Sequence, residues 1–362
     1  MNNENTFIRI YNGFTKNLLA NYSNGKNNLV LSPFSILVLL CMAADSTDSE
    51  TRKEVINVIC KDQPFDEIKK SITELSQKLS DDDTLSIANA LCVNETIRDS
   101  IKEGFKEQLS KDYSSELFTS KNIVDDVNKW VKEKTKGMID KLADKSMEKM
   151  LACLMNAICF ETEWQKQYKE DDISEDEFHN ADGTISEVEM LGNNEYEYIN
   201  TNEYEGFVKP YKGNKYSYMA LLPKNESANA LNSLLSSLDL SRIYEESQGR
   251  EVWVEMPEFS YDFSEDLTDY LESLGMTKIF TPGADFSPMT DEWVKAEGII
   301  HKAHIEVDRK GTKAAAVSAM FVLAGCAPDF DKPYITLDRP FIYAIIHNET
   351  GLPVFAGTVN KL

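Results

Sequence analysis

The chain of 362 residues has only four histidines, His179, His301, His304 and His347. None stands in an H-E-x-x-H pattern, and G-x-S-x-G, a Walker loop and a dinucleotide fingerprint are missing too, so the common catalytic classes have no local signature. Cations are scarce, with 38 Lys and Arg against 61 Asp and Glu and a formal net charge of −23. Nucleic acid, an anionic membrane surface and heparin-type polysaccharides all require clustered basic residues, so none is expected as a partner; basic pairs such as Lys69-Lys70 sit among acids. Six cysteines, Cys41, Cys60, Cys92, Cys153, Cys159 and Cys326, show neither C-x-x-C spacing nor the density of a disulfide scaffold, and most are expected as buried thiols. No apolar run reaches about 18 residues, and Phe7 to Leu19 is amphipathic rather than a leader following a basic start. The chain as given is expected to be cytoplasmic if complete. If a leader was trimmed it would be extracellular, and sequons at Asn21, Asn94, Asn225 and Asn348 would then matter. No Pro/Gly/Ser-rich linker or repeat divides it, so one domain over 1–362 is expected, with apolar residues at 42% supplying a large core.

What is present is patterned. Phe7, Ile10, Tyr11, Phe14 and Leu18 fall at helical spacing and predict an opening helix that ends near Asn24-Gly25. Leu29 to Leu31 predicts a short strand, after which Ser32 offers an N-cap hydroxyl and Pro33 the first position of an all-round apolar helix. Leu85 to Val93 predicts a strand, Ile123 to Leu142 an amphipathic helix carrying Trp130, and Met150 to Phe160 a strand buried on both faces. Glu265 to Leu274 predicts a helix closed by Gly275. Strands follow at Tyr216 to Leu222, Glu251 to Met256, Ile299 to Asp308, Tyr334 to Leu337, Phe341 to Ile346 and Pro353 to Gly357. Helices dominate the first half and strands the second, which predicts an α+β fold.

Several segments, taken in order, resemble the serpin family over nearly the whole chain. Asn28 to Ile36 is similar to its strand-to-helix entry, and Ser86 to Leu91 to a strand of its main sheet. Asn156-Ala157-Ile158-Cys159-Phe160-Glu161-Thr162-Glu163-Trp164 is similar to N-x-I-x-F-x-G-x-W, with Thr162 where Gly is usual. Leu274 to Phe280 and Ala284 to Met289 resemble another signature, and Asp338 to Tyr343 the C-terminal one. The resemblance implies three β-sheets with eight to nine helices, and an exposed reactive-centre loop at about 309–332. Cleavage of that loop lets it enter the main sheet as a new strand, carrying the acylated protease with it. It also implies a monomer capable of loop-sheet polymerisation.

The same resemblance places a hinge at Gly311, Thr312, Ala314, Ala315 and Ala316. Period-two alternation from Thr312 sends Thr312, Ala314, Ala316, Ser318, Met320 and Val322 to one face, which carries no charge and which the resemblance implies is the inward one. Lys313 falls on the outward set, and no proline occurs between Gly311 and Ala327, which favours an inhibitor. Trp164, Glu258 and Arg309 are placed where insertion starts. The family usually has Glu at the position of Arg309 and Lys at that of Glu258, so a sign-reversed ion pair is expected. Ser32, Ser35, Asn156 and His301 are expected as a hydrogen-bonded cluster beneath the main sheet. His304, three residues from His301 on a strand, faces the other way, and no metal or cofactor site is expected.

If the loop has the length it has in inhibitory members of the family, as the resemblance implies, fifteen residues counted inclusively from Gly311 put the bait bond at Gly325-Cys326, with Ala324-Gly325 and Cys326-Ala327 as slip alternatives. These small residues suit elastase-like or subtilisin-like serine proteases, since no basic residue lies between Lys313 and Lys332. The partner expected is thus a target protease, captured as a covalent acyl-enzyme by a suicide substrate that is not itself an enzyme. Trapping of cysteine proteases, and a non-inhibitory role as carrier, chaperone or storage protein, stay open.

Overall fold

The structure is a computed structural model that describes residues 3–79, 84–227, 229–247, 249–312 and 332–362. In chain order the elements are α1 (Asn3–Tyr22), β1 (Leu29–Leu31), α2 (Pro33–Ser46), α3 (Ser49–Cys60), α4 (Phe65–Leu79), β2 (Leu85–Asn94), α5 (Glu103–Tyr113), β3 (Glu116–Ser120), α6 (Ile123–Lys134) and β4 (Ala152–Phe160). There follow β5 (Thr162–Glu163), β6 (Ile173–His179), β7 (Ile185–Glu195), β8 (Glu197–Asn200), β9 (Tyr204–Pro210), β10 (Tyr216–Pro223), α7 (Ala230–Leu235) and α8 (Leu240–Glu245). The chain closes with β11 (Val252–Pro257), β12 (Phe259–Asp266), α9 (Thr268–Ser273), β13 (Ile300–Val307), β14 (Gly311–Thr312), β15 (Tyr334–Thr336), β16 (Phe341–His347) and β17 (Leu352–Val359).

Contacts divide the chain into two compact units, one built from residues 1–10, 34–159 and 264–303, the other from 11–33, 160–263 and 304–362. In the first, α6 lies on the strand array β3-β2-β4. Its apolar stripe of Ile123, Val127, Trp130 and Val131 packs with Ala90 and Cys92 of β2 and with Met155 and Ala157 of β4, which is what the 3.6-residue period of that segment requires. The helix stops at Lys134, short of the expected Leu142. The Thr135 amide still reaches the Val131 carbonyl at 2.9 Å, but Lys136 and Gly137 then take φ of 52° and 83°, and the Gly137 amide returns to the Lys132 carbonyl at 2.8 Å.

α2 is buried along almost its whole length, as its unbroken apolar run predicts, and carries one charge inward. Asp45, 2% exposed, is held by Lys69 Nζ at 2.5 Å, by the Tyr113 hydroxyl at 2.8 Å and by Arg52 at 3.4 Å. Three partners compensate its removal from water.

The second unit contains the antiparallel sheet β1-β17-β16-β10-β9-β8, in which β10, β16 and β17 are buried at every position. It also holds β15-β11-β7-β6, where β15 joins β11 in parallel. The strands β12-β13-β14-β5 form a further array. Among the described residues the strands form four hydrogen-bonded arrays, accompanied by nine α-helices and four short 3-10 helices, an α+β architecture with several sheets as expected.

Candidate functional site: the loop hinge and the seam beside it

Residues Asp308 to Gly311 make a tight turn that sends the chain back along β13. The Asp308 carboxylate accepts the amides of Lys310 at 2.7 Å and Gly311 at 2.9 Å, and the Asp308 amide donates to the Gly311 carbonyl at 2.9 Å. Burial pushes the Asp308 carboxyl above its ordinary value, although both backbone donors oppose it. β14 then pairs on both sides, Thr312 with Val307 of β13 and with Thr162 of β5, and Gly311 with Glu163. Glycine is required here, because a Cβ at 311 would lie 2.1 Å from the Thr162 carbonyl oxygen and 2.7 Å from Glu163 Cα. Of the expected hinge residues, Gly311 and Thr312 are thus in the sheet. Ala314, Ala315 and Ala316, and the bait residues Ala324, Gly325, Cys326 and Ala327, lie outside the described residues.

Around the turn the structure brings together Trp164, Glu258 and Arg309. Arg309 Nε lies 3.0 Å from Glu258 Oε1, and the Arg309 amide donates to the same oxygen at 2.8 Å. Its other guanidinium nitrogens reach Glu189 at 2.9 Å and Glu170 at 3.4 Å. The Glu258 hydrogen bond is the main cause of an Arg309 basicity above the ordinary value. Trp164, 1% exposed, donates its indole N–H to the Asp308 carbonyl at 2.8 Å and its amide to the Lys310 carbonyl at 2.7 Å. The turn is gripped by backbone bonds on one side and by charge on the other.

Sequence reasoning missed the residues that support Trp164. Tyr211 stacks on it at 4.5 Å with planes 9° apart, and Lys209 Nζ lies 5.3 Å from its ring centre and 4.4 Å from that of Tyr168. Lys209 is 1% exposed and bonds Glu195 at 2.6 Å. Burial drives Lys209 down and Glu195 up, toward neutrality, while their contact opposes both shifts. Nothing local marks these residues: Lys209 sits in a strand run that pattern alone would read as apolar.

Within the other unit Ser35, Asn156 and His301 line one cavity of about 20 Å³. Ser35 Oγ donates to Asn156 Oδ1, whose Nδ2 donates to Asn89 Oδ1 at 2.6 Å, and Asn89 Nδ2 in turn donates to the Tyr113 carbonyl at 2.8 Å. Burial lowers His301 to about 4, so the ring is neutral at physiological pH. Ser32 donates to the Val354 carbonyl at 2.9 Å. Asn89 extends the chain of bonds and could have been found, since it lies in the segment Ser86 to Leu91. His304, by contrast, meets Asp262 at 2.8 Å. A larger cavity of about 570 Å³ is lined by Ala152, Cys153 and Leu154 of β4, by Ile299 and Ile300 at the entry to β13, and by Leu39 of α2. This seam is lined largely by apolar residues and is wide enough for more than water.

Known proteins share this architecture. A family model described as Serpin (serine protease inhibitor) matches residues 9–362. Iripin-5 of Ixodes ricinus is 28% identical over 99% of this chain and 95% of its own length, and alpha-1-antiproteinase of Rattus norvegicus is 28% identical over 93% and 84%. Among solved structures, that of the thermophilic serpin tengpin in the native state superposes with a TM-score of 0.88 at 33% identity, covering 98% of this chain and 94% of that one. With the sheet arrays, the helices and the hinge turn in place, the fold is that of the serpins, and the chain belongs to the serpin family.

Proposed function

We propose that this chain, from a family of proteins that are generally protease inhibitors, is a suicide-substrate inhibitor of serine proteases with a shallow primary pocket, elastase-like or subtilisin-like. The observation that supports the reading is the seating of Gly311 and Thr312 as strand β14, with Thr312 paired to both Val307 and Thr162. The chain enters the sheet here, and the small, uncharged inward residues that follow in sequence fit the same path. The seam lined by Ala152 to Leu154 and by Ile299 and Ile300 supplies apolar walls for such a strand.

In this reading the protease serine attacks the Gly325 carbonyl carbon, and the amine of Cys326 leaves with the released proton. The ester to the serine persists because the freed loop inserts before water can attack it. About a dozen residues entering the sheet gain ladder hydrogen bonds of net ~0.5–1.5 kcal/mol each, plus buried apolar area, on the order of 10 kcal/mol in sum. That is enough to make insertion irreversible. The net charge of −23 favours a partner other than heparin.

The test is incubation with pancreatic elastase and with subtilisin, followed by denaturing gels and N-terminal sequencing of the small fragment. An SDS-stable complex and a fragment starting at Cys326, or one residue to either side, is the expected result. Complete cleavage by both enzymes without complex would overturn the serine-protease reading and turn attention to cysteine proteases or a carrier role.

A further inference from the structure

The Tyr211 hydroxyl lies 2.6 Å from Thr312 Oγ1, and both residues are buried, at 0% and 2% exposure. Thr312 is the last residue of β14, where the chain enters the sheet. Tyr211 follows β9 and has little freedom of its own. Its amide donates to the Tyr216 carbonyl at 3.0 Å, one face of its ring lies on Trp164, and Phe160 meets it edge-on at 5.1 Å. Trp164 is tied to the Asp308 and Lys310 carbonyls, so the ring that supports Tyr211 is bonded to the same turn that delivers Thr312.

We propose that the Tyr211–Thr312 hydrogen bond is a latch that seats the first inward residue of the loop before cleavage, making Tyr211 a positioning residue for insertion. This rests on the loop-insertion reading. With Thr312 seated, the growing strand starts from an ordered end and need only add residues; with it released, the turn at Asp308 to Gly311 must first re-form its two-sided pairing. A buried hydroxyl deprived of its partner favours the released state. Insertion competes with hydrolysis of the acyl-enzyme, so a slower start sends more molecules to the cleaved, uncomplexed product. Gly311 gives the chain its path between the strands, and Tyr211 holds it there.

Tyr211→Phe keeps the ring and its stacking but removes the hydroxyl, and Thr312→Val keeps the shape of the partner. Two readouts separate the latch from the reading beneath it. The first is hydrogen exchange of the segment 308–312 in the uncleaved protein, which needs no protease. Each single variant is expected to raise exchange there by roughly fivefold, and the double variant by no more than either single. The second is the number of inhibitor molecules consumed per protease trapped, expected to rise in both singles and to be no worse in the double. Unchanged exchange, or effects that simply add, would overturn the latch whether or not the chain inhibits. Raised exchange with an unchanged inhibitor-to-protease ratio would overturn its role in insertion. Absence of any complex with the unmodified protein, with exchange raised in the variants, would overturn the inhibitory reading and leave the seating contact standing.

Discussion

Arg309 and Glu258 are joined twice, through the guanidinium at 3.0 Å and through the Arg309 backbone amide at 2.8 Å, both to one carboxylate oxygen of Glu258. The side chain thus binds the strand tip after β11 to the turn that opens β14. Because Glu189 and Glu170 also reach the guanidinium, Arg309 is the cation of a cluster with three carboxylates.

Reversing Arg309 should therefore cost more than reversing Glu258. Arg309→Glu places a fourth carboxylate in the cluster, whereas Glu258→Lys removes one of three acceptors. Both groups are partly solvated, so the coupling in a double-mutant cycle should be about 1 kcal/mol. The measurement is thermal unfolding of both singles and the Arg309→Glu/Glu258→Lys double, with heat-induced polymerisation followed in parallel. Equal effects of the two singles, with no coupling, would mean that the pair does not hold the turn.

Gly311→Ala should disturb the hinge alone. The added carbon would meet the Thr162 carbonyl at 2.1 Å, a contact that only backbone movement can relieve. A penalty of ~1–3 kcal/mol for such overpacking falls on any state with Gly311 in the sheet. Because the intact protein can escape that penalty by releasing Gly311 from β14 and the inserted form cannot, the variant should show a smaller gain in stability on loop cleavage and more substrate-like turnover, measured as the Tm of intact and cleaved protein and as the inhibitor-to-protease ratio.

Acid should weaken the unit that holds His301. Its folded pKa, lowered to about 4 by burial, lies below the ordinary value of 6.5. The unfolded chain therefore takes up a proton first as pH falls. The contribution is fully present above about pH 6.5 and is lost progressively on going down to about pH 4, on the order of 3 kcal/mol in all. His301→Gln should flatten this part of the stability profile, as read by denaturant unfolding between pH 7 and pH 4. A parallel loss in both proteins would assign the acid sensitivity elsewhere.

Lys209 and Glu195 form a buried pair, so removing one partner should harm more than removing both. Lys209→Met alone leaves a buried carboxylate and should cost about 3–5 kcal/mol. The double variant Lys209→Met/Glu195→Gln should recover most of that loss. Chemical denaturation of the two variants decides the point.

Sequence patterns located elements whose signals are local. β1 is bounded as expected because Leu29 to Leu31 is followed by Ser32 and Pro33, and β16 starts as expected at Phe341 but runs one residue past Ile346, to His347. α3, α4 and α5 went unmarked even though α4 has a clear stripe of Phe65, Ile68, Ile72, Leu75 and Leu79, since many charged neighbours dilute it. β6 was hidden for a similar reason: Ser174 to Glu177 are exposed on both faces of the strand and only Phe178 is buried. The hinge glycine and Arg309 were legible through family resemblance. Tyr211 was not, because its contact with Thr312 spans 101 residues and leaves no period in the chain. Lys209 and Glu195, on adjoining regions of different strands, are equally invisible until the sheets are assembled.

The most direct test of strand insertion is the thermal unfolding of the protein before and after a single cut between Lys313 and Asp331. Ladder formation and apolar burial of on the order of 10 kcal/mol predict a Tm higher by roughly 10 °C or more in the cleaved form. A cleaved protein that unfolds at the same temperature as the intact one, or below it, would contradict insertion and with it the inhibitory mechanism.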